Sequence, residues 1–203
     1  MFDSALIPLQ RRALHPAARL LHRAGVPADA VTLAGFVLGL AGCAAAALGA
    51  PALALAGLAA NRIADGLDGE IARLAGPTDR GAFLDIALDF WFYALFPLGF
   101  ALADPAPNAL PAAALVASFV GTGSSFLAYS VIAERRGLTA ADYPTKGIFY
   151  LGGLTEGAET IALFTAFCLF PGAFSTLAWM FAAACVVTTL TRWLAGWRSF
   201  AGR

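Results

Sequence analysis

Apolar stretches close to 20 residues long recur between residues 31 and 197, separated by short segments such as "GAP", "DPAPN" and "FPG". Stretches of that length cross a bilayer as α-helices, since a helix satisfies its own backbone polar groups where no water can. The chain therefore reads as all-α: a polytopic membrane protein with six transmembrane helices. The spans are expected near 31–50, 52–74, 81–103, 110–133, 147–170 and 172–197, with Pro and Gly turning the chain sharply between them. Composition agrees: 13% of residues are charged, against about 25% in a soluble domain, and mean hydropathy is +0.74.

Residues 1–24 differ from the rest. "FDSALIPLQRRALHPAARLLHRA" alternates Leu, Ile and Ala with Arg and His at helical spacing, as an interfacial amphipathic helix does, and Pro8 and Pro16 are expected to break or kink it. The N-terminus does not read as a cleavable signal, because Arg and Pro interrupt it before any apolar core. Residues 25–203 then form one transmembrane domain. Formal net charge is zero, which gives no electrostatic case for nucleic acid. Cys43, Cys168 and Cys185 are far apart in apolar runs and read as small buried residues. Lys and Arg cluster before the first span, around the loop at 74–80, in the loop at 134–146 and at the end; the loops after spans one, three and five contain none. The positive-inside rule places both termini and the 74–80 loop on the cytoplasmic side.

The second and third spans carry acids that lipid does not tolerate. Asp65 and Asp68 are three apart and share a helix face; Asp85 and Asp89 are four apart and share another. A short connection makes the two helices antiparallel neighbours, with both pairs at similar depth near the cytoplasmic end. An acid at a helix centre costs on the order of 3 kcal/mol, so four facing lipid there would cost roughly 10 kcal/mol. They must line a polar cavity and share positive charge. Arg62 and Arg73 supply some, but clustered oxygen ligands without His or Cys suit one or two Mg²⁺, Mn²⁺ or Ca²⁺ ions better. Magnesium leaves positions open for phosphate oxygens, so the implied chemistry is phosphoryl transfer. Gly69 and Ala72 remove bulk beside Asp68.

"DGLDGEIARLAGPTDRGAFLDIALD", residues 65–89, resembles the signature of the CDP-alcohol phosphotransferase family: D-x2-D-G-x2-A-R, a short loop, then G-x3-D-x3-D. Asp65, Asp68, Gly69, Ala72, Arg73, Gly81, Asp85 and Asp89 match position by position, and the loop between Arg73 and Gly81 is one residue shorter than usual. The resemblance implies transfer of a phosphatidyl group from a CDP-linked lipid, most often CDP-diacylglycerol, to an alcohol with release of CMP, a step of phospholipid biosynthesis. It implies two metal ions, Mg²⁺ or Mn²⁺, on Asp65, Asp68, Asp85 and Asp89, with Asp89 also acting as the base. Gly69, Ala72, Arg73 and Gly81 would seat the CDP donor. A homodimer is a further implication, which the Gly/Ser-rich faces at Gly35, Gly39, Gly42 and "GTGSS" permit; those small residues read first as internal packing.

The acceptor side is less constrained. Glu156 and Glu159 share a face of the fifth span, where an acid is functional by default. With Lys146 and Arg192 they are expected to line an acceptor chamber beside the metals, unless they pair with Arg192 or Arg62. The residues do not identify the alcohol. Two other classes fit parts of the pattern: Mg²⁺-dependent membrane prenyltransferases, which lack the D-G-x2-A-R continuation, and cation transporters, which need acids along a whole pathway.

Overall fold

The computed structural model describes residues 3–137 and 153–201, and every regular element among them is helical. Helix α1 (Asp3–Arg23) runs continuously through Pro8 and Pro16, so neither proline ends it. Pro16 lies on the exposed face, where the carbonyl it leaves unpaired can meet solvent or headgroups. Six helices follow: α2 (Ala28–Ala47), α3 (Pro51–Ala75), α4 (Asp79–Ala103), α5 (Pro105–Arg135), α6 (Gly157–Leu169) and α7 (Phe174–Phe200).

Helix ends follow local chemistry. Pro51 and Pro105 open α3 and α5, where a missing N–H costs nothing. Gly76, at φ 97°, closes α3 in a conformation that side chains disfavour. Thr78 then caps α4, its hydroxyl accepting from the Gly81 N–H at 3.1 Å.

Helices α2, α4, α5 and α7 (with the 3₁₀ turn before it) are long and apolar enough to cross a membrane. Large apolar side chains such as Val37, Leu53, Val120 and Trp197 stand exposed, as lipid-facing positions do. Helix α3 equals α4 in length but carries the charged motif. The expected span at 147–170 appears as only the 13-residue α6; its first part lies outside the described residues.

The acidic helices do not pack as direct neighbours. Both lie along α2, while α3 and α4 make few close backbone approaches to each other. The glycines of α2 set this spacing: a Cβ at Gly42 would sit 3.1 Å from Gly57 Cα of α3, and one at Gly39 3.0 Å from the Phe92 ring of α4. That stripe is therefore internal packing. Beyond the acids, α4 turns the same face into a phenyl stack. Phe96 stacks on Phe164 of α6 at 4.8 Å, and Phe100 on Phe174 at 5.3 Å. All four rings are buried, which anchors the far half of α4 and leaves its near half to carry the acids.

Candidate functional site

Asp65 and Asp68 project from α3, and Asp85 and Asp89 from α4, into one cleft floored by Thr32 and Gly35 of α2. One carboxylate oxygen each of Asp65, Asp85 and Asp89 lies within 4.8 Å of the other two. Asp68 is buried, and its Oδ2 has no hydrogen-bond partner among the described residues. A buried acceptor left unmatched is costly, and here it faces a cluster of further carboxylates.

The counter-charge inside the cleft is Arg62. Its Nη2 donates to Asp89 Oδ1 at 2.6 Å, and its Nη1 lies 3.8 Å from Asp65. Asn61 holds the guanidinium from behind: Asn61 Oδ1 accepts from Arg62 Nε at 2.8 Å, while Asn61 Nδ2 donates to the Gly35 carbonyl at 3.0 Å. Phe92 and Tyr93 supply ring faces at 5.3 and 5.5 Å, close enough for a cation–π contribution. One guanidinium against four carboxylates leaves three negative charges. The donor set is all oxygen, the orphaned Asp68 Oδ2 lines the same cleft beside the three closest acids, and the charge is in excess. These residues fit a hard divalent cation.

Asp68 and Asp85 also border a cavity of about 500 Å³. Its wall includes the remaining motif residues Gly69, Ala72, Arg73 and Gly81. A Cβ on Gly81 would come within 3.2 Å of Asp29 Oδ1 and Thr78 Oγ1, so a side chain there would crowd the wall. At the rim, Arg80 pairs with Asp29 of α2 at 2.7 Å. The sequence-predicted metal and donor residues thus come together on one continuous surface.

The expected acceptor residues divide. Arg192 and Glu156 line a separate cavity of about 310 Å³ with Phe90, Tyr93 and Thr122. Arg192 is buried, donates from Nη1 to the Thr122 carbonyl at 3.0 Å, and has an Nε unmatched among the described residues. Glu156 stands at the N-terminus of α6 rather than within a helix: its carboxylate accepts from Gly153 N at 2.9 Å, and Glu159 accepts from its backbone N–H at 3.2 Å. The two acids form a capping box. Lys146 lies outside the described residues. The sequence pattern marks Arg62 only as general positive charge and gives no sign of Asn61, Thr32 or Tyr93; the Arg62–Asp65 spacing of three is its signal for a direct pair.

The chain belongs to the CDP-alcohol phosphatidyltransferase family, whose model matches residues 26–191. It is an integral membrane protein of that family, whose members depend on divalent metal. Among curated relatives, it is 47% identical over 197 residues to the inner membrane protein YnjF of Escherichia coli K12, spanning 97% of this chain and 96% of that one. It is also 42% identical over 83 residues to the archaetidylinositol phosphate synthase of Methanothermobacter thermautotrophicus, covering 40% and 41% of the two chains. Two solved structures of the Mycobacterium tuberculosis phosphatidylinositol phosphate synthase share the fold at 26% identity. The one with CDP-DAG bound has a TM-score of 0.68 and covers 92% of this chain and 94% of its own. The other, with manganese and citrate, has a TM-score of 0.67 and covers 91% and 88%.

Proposed function

We infer that this protein transfers the phosphatidyl group of CDP-diacylglycerol to a small alcohol and releases CMP, in membrane phospholipid synthesis. The observation that carries this reading is the shared wall. Asp68 and Asp85 line both the acidic cleft and the 500 Å³ cavity, so a nucleotide held in the cavity places its pyrophosphate against the acids. Divalent ions of the Mg²⁺ or Mn²⁺ type, held by Asp65, Asp68, Asp85 and Asp89, would neutralise the pyrophosphate and the departing CMP.

The chain's own groups account for the rest. Arg73 on the cavity wall meets phosphate charge, and Gly69 and Gly81 leave room for the nucleotide. Arg62 fixes one oxygen of Asp89 at 2.6 Å and keeps that carboxylate aimed into the cleft. The acceptor hydroxyl oxygen bonds to the phosphorus that carries diacylglycerol, the bond from that phosphorus to the CMP oxygen breaks, and the hydroxyl proton passes to Asp89. Glu156, Glu159, Arg192 and Lys146 serve the acceptor side. The unmatched Arg192 Nε suits an acceptor rich in oxygen.

The chain crosses the membrane six times with both termini and the 74–80 loop on the cytoplasmic side, α1 lies in the interface, and two copies pair. Cysteines placed at Asp79 and Ala106 should label from the inside and the outside respectively, and the mass in mild detergent should be that of a dimer. The deciding experiment is release of labelled CMP from CDP-diacylglycerol by the purified protein, run over serine, inositol, inositol phosphate, glycerol phosphate, ethanolamine and choline. Divalent-dependent release stimulated by at least one of these is expected. No release with any alcohol or divalent ion would overturn the reading.

A further inference from the structure

Glu70 follows Gly69 in the motif but takes no part in the cleft. It is buried and gathers three basic side chains. Its Oε1 accepts from Arg73 Nη2 at 2.5 Å and Nε at 3.1 Å, and lies 3.3 Å from Arg11 Nε. Its Oε2 lies 3.3 Å from His15 Nδ1. Arg11 and His15 belong to α1, which crosses α3 where Gly66 leaves room: a Cβ there would collide with Leu14 and Gln10. Arg73 is 45% exposed and lines the 500 Å³ cavity. Glu70 occupies the Nε–Nη2 edge of its guanidinium, which orients the other edge for an anion.

We propose that Glu70 is a positioning residue of the nucleotide-lipid site: anchored by Arg11 and His15, it fixes Arg73 at the cavity wall and makes α1 a working part of donor binding. This rests on the reading of that cavity as the donor site. Charge and position predict opposite signs. Glu70→Gln removes a negative charge next to the cavity, so an electrostatic role alone would tighten binding of a pyrophosphate. Loss of positioning instead makes Arg73 pay its ordering entropy on binding, which weakens affinity by roughly threefold to tenfold.

The test measures CDP-diacylglycerol affinity by calorimetry, and KM against kcat, for the full-length protein in detergent with Mg²⁺. Glu70→Gln should weaken donor binding by that factor and raise donor KM while kcat stays within about twofold. The pair Arg11→Ala with His15→Ala alters only half-exposed groups, so the membrane core should fold; it should give the same weakening. Arg12→Ala, which removes an exposed arginine of the same helix, should not. Unchanged or tighter binding in both Glu70→Gln and the α1 pair, or equal weakening by Arg12→Ala, overturns the proposal while leaving the donor site intact. If the unmutated protein binds no CDP-lipid, the donor-site reading itself fails and the proposal goes with it.

Discussion

Replacing Arg62 with leucine should make the stability of the fold depend on divalent cation. The Arg62 side chain is 16% exposed and that of its partner Asp89 31%. Removing one partner of a fully buried pair costs roughly 3–5 kcal/mol, and an exposed pair is worth about 0–1 kcal/mol. The intermediate exposure gives about 2–3 kcal/mol, lost because four carboxylates then share no internal cation. For a chain of this size that corresponds to a fall in Tm of about 4–12 °C in EDTA. Saturating Mg²⁺ supplies charge to the same carboxylates and should recover more than half of the difference. Leucine also gives up the Asn61 hydrogen bonds and the Phe92 and Tyr93 ring contacts, but those losses are equal with and without metal and cancel in the comparison. Thermal unfolding in detergent, followed by the fluorescence of the four tryptophans, reads both conditions. An equal Tm deficit in Mg²⁺ and EDTA would refute the idea that Arg62 and the metal serve the same acids.

Asp89→Asn should preserve folding and most CDP-lipid binding while cutting turnover by roughly 10²-fold or more; turnover within a few fold of wild type at saturating Mg²⁺ would remove Asp89 as the base. Gly57→Ala should destabilise by about 1–3 kcal/mol, since its Cβ would be driven into the α2 backbone at Gly42. A measurable loss of donor affinity should accompany it as α3 shifts the acids, and unchanged stability would mean that α2 does not set the spacing. Glu159→Gln should cost no more than about 1 kcal/mol, because an amide can still accept the Glu156 N–H in the capping box. An acceptor KM unchanged in both this variant and Glu156→Gln would leave the two acids purely structural.

The grouping of the candidate site's residues was largely legible because they are local in sequence. Asp65 and Asp68, then Asp85 and Asp89, announce two helix faces by spacing alone, and the charge cost of burying them forces the faces together. What was not legible depends on contacts between distant residues. That α3 and α4 stand apart on α2 follows from Gly39 and Gly42 meeting Phe92 and Gly57, pairings that no local pattern encodes. Glu156 and Glu159 read as a polar face within a span, because an acid pair three apart fits a helix interior and a capping box equally; only the start of α6 at Gly157 decides between them. The role of Glu70 depends on Arg11 and His15, 59 and 55 positions away.

Manganese binding measures the central claim most directly. Electron paramagnetic resonance of the purified protein titrated with Mn²⁺ counts bound ions without requiring turnover. Saturable binding of one or two ions per chain is predicted, strengthened by CDP-diacylglycerol and weakened more than roughly tenfold in Asp68→Asn, since losing even an outer-shell partner costs 10–100-fold. Mn²⁺ affinity and stoichiometry unchanged in Asp68→Asn and in Asp85→Asn would contradict the account, because the acids would then be gathered for some purpose other than holding metal.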